Sequence, residues 1–114
     1  MKQDLRPKRV TFADEKLFNA FGKLKTSTSE ERKLHGLIDR AFDDLKEDPF
    51  TGIKIPKSLW PKEYVQKYRI NNLWKYDLPN GWRLIYTVKG DSVQIVSIIL
   101  EWFDHKSYEK RFGY

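Results

Sequence analysis

Apolar and polar residues follow two periods along this chain, and the changes of period mark its elements. Arg9-Val10-Thr11-Phe12-Ala13 alternates at every second position, the spacing of a half-buried strand. Leu17, Phe18, Phe21 and Leu24 then recur at helical spacing behind Asp14, a suitable N-cap, although Gly22 weakens the segment. Ser27-Thr28-Ser29-Glu30-Glu31 holds overlapping capping-box patterns, in which a hydroxyl satisfies a backbone N–H and a glutamate three residues on reaches back. The helix opened there carries Leu34, Leu37, Ile38, Ala41, Phe42 and Leu45 on one face and ends at Pro49 and Gly52.

Periodicity fades over residues 50–67, where Pro56 and Pro61 punctuate a basic connection with a short helical turn predicted at residues 61–67. An irregular segment of that length in a small domain is expected to bind something or to pack an edge. Trp74-Lys75-Tyr76-Asp77 and Trp82-Arg83-Leu84-Ile85-Tyr86-Thr87-Val88 read as the strands of a hairpin. Asn80-Gly81 between them tolerates the positive φ of a type I′ turn. Lys89-Gly90-Asp91 marks another turn, and residues 93–103 form a last strand with two apolar sides. Val93, Ile95 and Ile99 lie on one side, Val96, Ile98 and Leu100 on the other, so this strand is expected at the sheet centre. The order predicts an α+β fold of two layers: a small, mainly antiparallel sheet of about four strands with a two-helix hairpin packed on one face. The opposite face is expected to be concave and partly open, in one domain over residues 1–114, with residues 1–8 as a loose basic arm.

Composition narrows the classes. Hydrophobic residues make up 39% and charged residues 33% of 114, a globular balance that supports one core. The chain has no cysteine, so neither a disulfide framework nor a thiolate metal site is available. Met1-Lys2-Gln3-Asp4-Leu5-Arg6-Pro7 lacks the apolar core of a signal peptide and no run approaches a membrane span, so a cytoplasmic location is expected. The net charge of +6 is uneven: residues 1–50 hold 11 Lys or Arg against 10 Asp or Glu, whereas residues 51–114 hold 11 against 6. Lys54, Lys57, Lys62, Lys67, Arg69 and Lys75 face only Glu63 ahead of the hairpin, a concentration suited either to tracking phosphates or to a solvated basic face.

The residue types on offer suit one chemistry in particular. There is no Gly-rich phosphate loop, no HExxH and no carboxylate cluster with metal spacing, so nucleotide hydrolysis and two-metal nuclease chemistry are excluded and neither metal nor cofactor is expected. RNA cleavage by internal attack of the 2′-hydroxyl needs a proton acceptor, a cation for the charge on the phosphorane, and a proton donor for the leaving 5′-oxygen. Arg83 is the natural cation, unless it pairs across the hairpin with Asp77. His105 exchanges protons near neutral pH, with Lys106 and Asp104 pulling its pKa in opposite directions, or is merely solvated. Tyr108 could stack on a base, transfer a proton, or pack on Phe112 or Trp102. Lys54, Lys57, Arg69, Lys75 and Lys106 are candidate RNA contacts. Glu101 reads as a salt-bridge partner before a base, His35 as a packing or surface residue, and the four tryptophans as core rather than a stacking platform.

Tyr68-Arg69-Ile70 leading into Leu73-Trp74-Lys75-Tyr76, the Trp82-Arg83-Leu84-Ile85-Tyr86 strand and the closing Asp104-His105-Lys106-Ser107-Tyr108-Glu109-Lys110-Arg111-Phe112 together resemble the RelE/ParE superfamily of type II toxin-antitoxin toxins. The resemblance runs over about residues 10–114 and is nearer to the RelE-like messenger-RNA interferases than to ParE. It implies a metal-independent endoribonuclease that cuts messenger RNA, often on the ribosome, and is silenced by a separate antitoxin protein, as a monomer or a toxin-antitoxin hetero-oligomer. Arg83 falls at the family's strand arginine that contacts the scissile phosphate and Tyr108 at its C-terminal tyrosine, while His105 and Lys106 lie near positions where relatives place His, Arg or Lys. A second tail arginine of some relatives is not evident, because Trp102 stands in that neighbourhood. Two other readings share the pattern: a ParE-like inhibitor of DNA gyrase, and a non-catalytic module that binds nucleic acid or a partner.

Overall fold

The computed structural model of the chain describes residues 4–113. The first three residues of the anticipated arm and Tyr114 of the tail therefore lie outside the described residues. Among the described residues the elements run β1 (Lys8–Phe12), α1 (Glu15–Leu24), α2 (Ser29–Glu47), β2 (Ile53–Lys54), α3 (Lys62–Tyr68), β3 (Trp74–Asp77), β4 (Arg83–Gly90), β5 (Ile95–Phe103) and α4 (His105–Phe112). The strands make one sheet in the order β1-β5-β4-β3-β2, with β1 parallel to β5 and the other neighbours antiparallel. The fold is α+β as expected, but its sheet is mixed and has five strands rather than about four. The additional strand, β2, lies inside the segment read as irregular, where two residues suffice to pair with β3.

Local chemistry sets the helix starts. Asp14 Oδ1 accepts the Leu17 N–H at 2.8 Å, and Thr28 Oγ1 accepts the Glu31 N–H at 3.2 Å, so both anticipated caps are in place. Residues 4–8 are less loose than expected: Arg6 ion-pairs with Asp4 at 2.7 Å and donates to the Asp91 carbonyl at 2.8 Å, and Lys8 already belongs to β1. Gly52 lets the chain leave α2 close over the sheet, because a Cβ there would come within 2.5 Å of both the Lys75 carbonyl and the Tyr86 hydroxyl.

Each sheet face has its own core. On one side Leu24 of α1 and Leu34, Ile38, Phe42 and Leu45 of α2 lie against Leu84, Tyr86, Ile95 and Ile99. On the other, α3 and α4 bring Tyr64, Tyr108 and Phe112 onto Leu73, Ile85 and Leu100. The expectation of a two-layer sandwich with an open second face is therefore corrected: helices cover both faces, as the two-sided apolar β5 requires.

β5 alternates as read for Ile95 and Ile99 against Ile98 and Leu100, whereas Val93 lies outside the strand in an exposed turn. A bulge then intervenes, since Tyr86 pairs with Ile99 and Ile85 with Glu101, leaving Leu100 as the extra residue. The bulge reverses the parity of the strand end. It sends Trp102 to the α1/α2 face and turns Glu101 and Phe103 toward α3 and α4.

Asn80 and Gly81 both adopt positive φ, 65° and 81°. The turn is longer than the two-residue form, because Leu78 N–H donates to the Trp82 carbonyl and Pro79–Gly81 forms a three-residue tip. Pro79 has no N–H with which to close a tighter ladder.

Candidate nucleic-acid interface

Three side chains of the β3–β4 hairpin share the α3/α4 face. Lys75 lies opposite the buried Ile85, and Asp77 opposite Arg83, two residues along each strand. Such positions must share one side of a pleated sheet. Arg83 Nε approaches Asp77 Oδ1 at 2.9 Å, the cross-hairpin pairing that the sequence set against its role as a free cation, and Lys75 Nζ approaches the same oxygen at 3.3 Å. Both cations stand near the Tyr108 ring, whose centroid is 5.4 Å from the Lys75 ammonium and 5.7 Å from the Arg83 guanidinium. These are cation–π distances, and a ring shielded from water makes them stronger.

Tyr108 is 4% exposed and stacks on Phe112 at 4.7 Å. Its packing role is thus the observed one, and a nucleobase has no open ring face to stack on. His105 opens α4 just beyond Phe103, the ladder partner of Arg83, and a Cβ at Gly81 would lie 3.3 Å from the His105 Cβ. The imidazole therefore stands at the hairpin tip, 58% exposed, with Nε2 held 2.8 Å from Glu109 Oε1 one helical turn on. Asp104 caps α4 by accepting the Ser107 N–H at 2.8 Å, a bond that holds its carboxyl below the usual carboxylate range.

α4 is pinned to α3 by a third cation, Arg111. Arg111 meets both carboxylate oxygens of Glu63, at 3.3 and 2.9 Å, lies 3.9 Å from Glu101, and covers the Tyr64 ring at 5.3 Å. Burial pulls the Arg111 pKa down, but the Glu63 hydrogen bonds and the nearby acidic groups outweigh it and raise it overall. Burial first, then Glu101, pushes the Tyr64 phenol far up, so it stays protonated. Glu101 is thus an ion-pair partner, as its preferred reading had it.

Of the anticipated RNA contacts, Lys75 joins Arg83 directly. Lys106 is exposed beside His105, and Lys57 and Arg69 are exposed at the two approaches to α3. Lys54 does not converge with them: it pairs with Trp74 and lines a cleft with Arg6 and Val88 on the α1/α2 side. His35 stacks on Phe21 at 4.3 Å, and all four tryptophans are partly buried against the cores, as read.

Three partners escaped the sequence reading. Asp77 was weighed for Arg83 but not for Lys75, although their i, i+2 spacing on a strand was visible. Glu109 lies four residues after His105 on a helix, a spacing that could have disclosed the pair. Arg111–Glu63 joins residues 48 apart and has no local signal. No helix among the described residues is long and apolar enough to cross a membrane, and none of their His, Asp or Glu side chains cluster as metal ligands would. No protein-family model matches the chain, and no curated protein or solved structure matches it.

Proposed function

We propose that this protein is a RelE-like toxin endoribonuclease that cuts messenger RNA in the cytoplasm, on the ribosome, by 2′-hydroxyl attack, and is held in check by an antitoxin protein. The observation that carries the reading is the convergence of Arg83 and Lys75 over the Tyr108 ring, in a hairpin whose tip also meets His105. The order of strand, helix pair and meander is the one the family resemblance implies, which supports it further.

In this reading Arg83 holds the scissile phosphate and stabilises the charge that builds on it, with Lys75 as the second cation. His105 takes the proton of the attacking 2′-hydroxyl and returns it to the departing 5′-oxygen. Glu109 holds Nε2, which leaves Nδ1 as the nitrogen free to act on substrate. Tyr108 acts as a positioning residue beneath the cations, and Lys57, Arg69 and Lys106 receive flanking phosphates.

Induced synthesis is expected to stop translation, with discrete transcript ends mapped by primer extension. Arg83→Ala should lower cutting by about 10²–10³-fold while circular dichroism stays that of the parent. An Arg83→Ala protein that cuts at the parental rate removes the mechanism.

A further inference from the structure

Asp77 sits where a ligand of the two cations would sit. Lys75 and Arg83 are 19% and 17% exposed at their side chains, whereas the Asp77 side chain is 44% exposed. The carboxylate is therefore the outermost member of the triad, between the cations and solvent. Two positive groups converge on one of its oxygens, at 3.3 and 2.9 Å, much as they would on a non-bridging phosphate oxygen.

The contact is close but poorly aligned. Arg83 Nε is buried and makes no aligned hydrogen bond, despite its 2.9 Å approach to Asp77, and Nη1 spends itself on the Trp82 carbonyl at 3.3 Å. Arg111, by contrast, grips Glu63 through two guanidinium nitrogens. A guanidinium prefers the two-pronged arrangement, so Arg83 is held in register without being satisfied. Register follows from the ladder, in which Asp77 and Arg83 are direct partners. Two cations against one carboxylate also leave the seat with a net positive charge.

We infer that Lys75 and Arg83 form an oxyanion seat for phosphate, and that Asp77 is its internal occupant, displaced when a phosphate group enters. The seat rests on the reading of Arg83 as a phosphate contact, and adds a competitor that weakens every phosphate ligand equally. It follows that neutralising Asp77 strengthens binding, the opposite of what losing a catalytic carboxylate would do.

The test uses the full chain and inorganic phosphate as the probe, titrated by NMR shifts of the Lys75 and Arg83 side chains. Asp77→Asn is expected to tighten phosphate by roughly tenfold, and Asp77→Ser to do the same should the amide find a new partner. Adding Arg83→Ala to either should erase the gain. Phosphate affinity that stays level or falls in both folded variants overturns the inference, and a joint loss of affinity and RNA cutting would make Asp77 a part of the machinery instead. If Asp77→Asn gains phosphate affinity while no form of the protein cuts RNA, the seat stands and the ribonuclease reading falls. If the parent cuts RNA and neither variant gains affinity, the reverse holds.

Discussion

On the α1/α2 face of the sheet, Phe12, Phe21 and Phe42 meet one another with centroids 5.3 to 5.6 Å apart, and Trp102 joins them at 6.4 Å from Phe21. On the α3/α4 face the tyrosine rings lie under cations instead, Tyr64 under Arg111 and Tyr108 under Lys75 and Arg83. One sheet thus divides two tasks. The first face removes apolar surface from water, at about 1.5–3 kcal/mol for each large side chain fully buried. The second keeps lysine and arginine partly out of water, where each charge loses solvation that a neighbouring carboxylate must offset. Partly buried ion pairs return little net stability for that lost solvation, and three such cations surround this one small core. Their presence is the physical reason to look for function there.

The largest effect that would break this division is on the first face. Leu45 is fully buried on α2, and Leu45→Ala should cost about 2–5 kcal/mol, read as a lower urea midpoint, with the phosphate affinity of the folded fraction preserved. A loss below about 1 kcal/mol would mean that the α2 core is not the main source of stability.

The two faces were unequally legible in the sequence. The α1/α2 face follows from periods of two and 3.6, since Leu34, Ile38, Phe42 and Leu45 and the β5 pair Ile95 and Ile99 need only backbone geometry to be placed, although Phe18, read on the same apolar stripe of α1, is exposed. The second face depends on events without a local signature. The Leu100 bulge decides on which side Glu101, Trp102 and Phe103 fall, and strict alternation through residue 103 would have put each on the wrong side. α4 folds back over the sheet because Tyr108 and Phe112 are buried on a helix otherwise polar, a cue present in the sequence, where packing of Tyr108 on Phe112 stands beside its chemical readings. Arg83 and Tyr108, each named as a site residue, meet in the structure, whereas Lys54, named for its charge alone, lies on the other side, because charge carries no information about strand parity.

A smaller effect sharpens the contrast on the second face. Arg111→Ala removes the cation that ties α4 to Glu63, a partner mostly exposed to water, so stability should fall by only about 1 kcal/mol or less. The loss should be local. Amide hydrogen exchange in α4 is expected to accelerate well beyond that in α2, and cutting should decline more than stability does, because α4 carries both His105 and Tyr108. Equal acceleration in α2 and α4 would show that the two cores open as one unit and that the faces are not separable.

The smallest effect concerns neighbours on one strand that point opposite ways. Asp77 faces the cations, while the Tyr76 hydroxyl donates to Asp44 on α2, a polar tie on the otherwise apolar side. That hydrogen bond to a carboxylate, aided by partial burial, pushes the Tyr76 phenol up to about 12. A raised folded-state pKa means that the native chain holds the proton more tightly than the unfolded one. The contribution is therefore complete below about pH 10, where an unfolded tyrosine is still protonated, and fades as pH rises through about 12. Because the pair is largely solvent-screened, its size is below about 1 kcal/mol. Comparing urea midpoints of the parent and Tyr76→Phe measures it together with the smaller influence of Tyr76 on Tyr86, whose phenol burial raises to about 12 in both proteins. The gap between the two proteins should narrow from about pH 9 to about pH 11, with phosphate affinity the same in each. A gap that stays constant would place the strength of the α2 contact entirely in its apolar packing, and a change in phosphate affinity would show that the two faces communicate through β3.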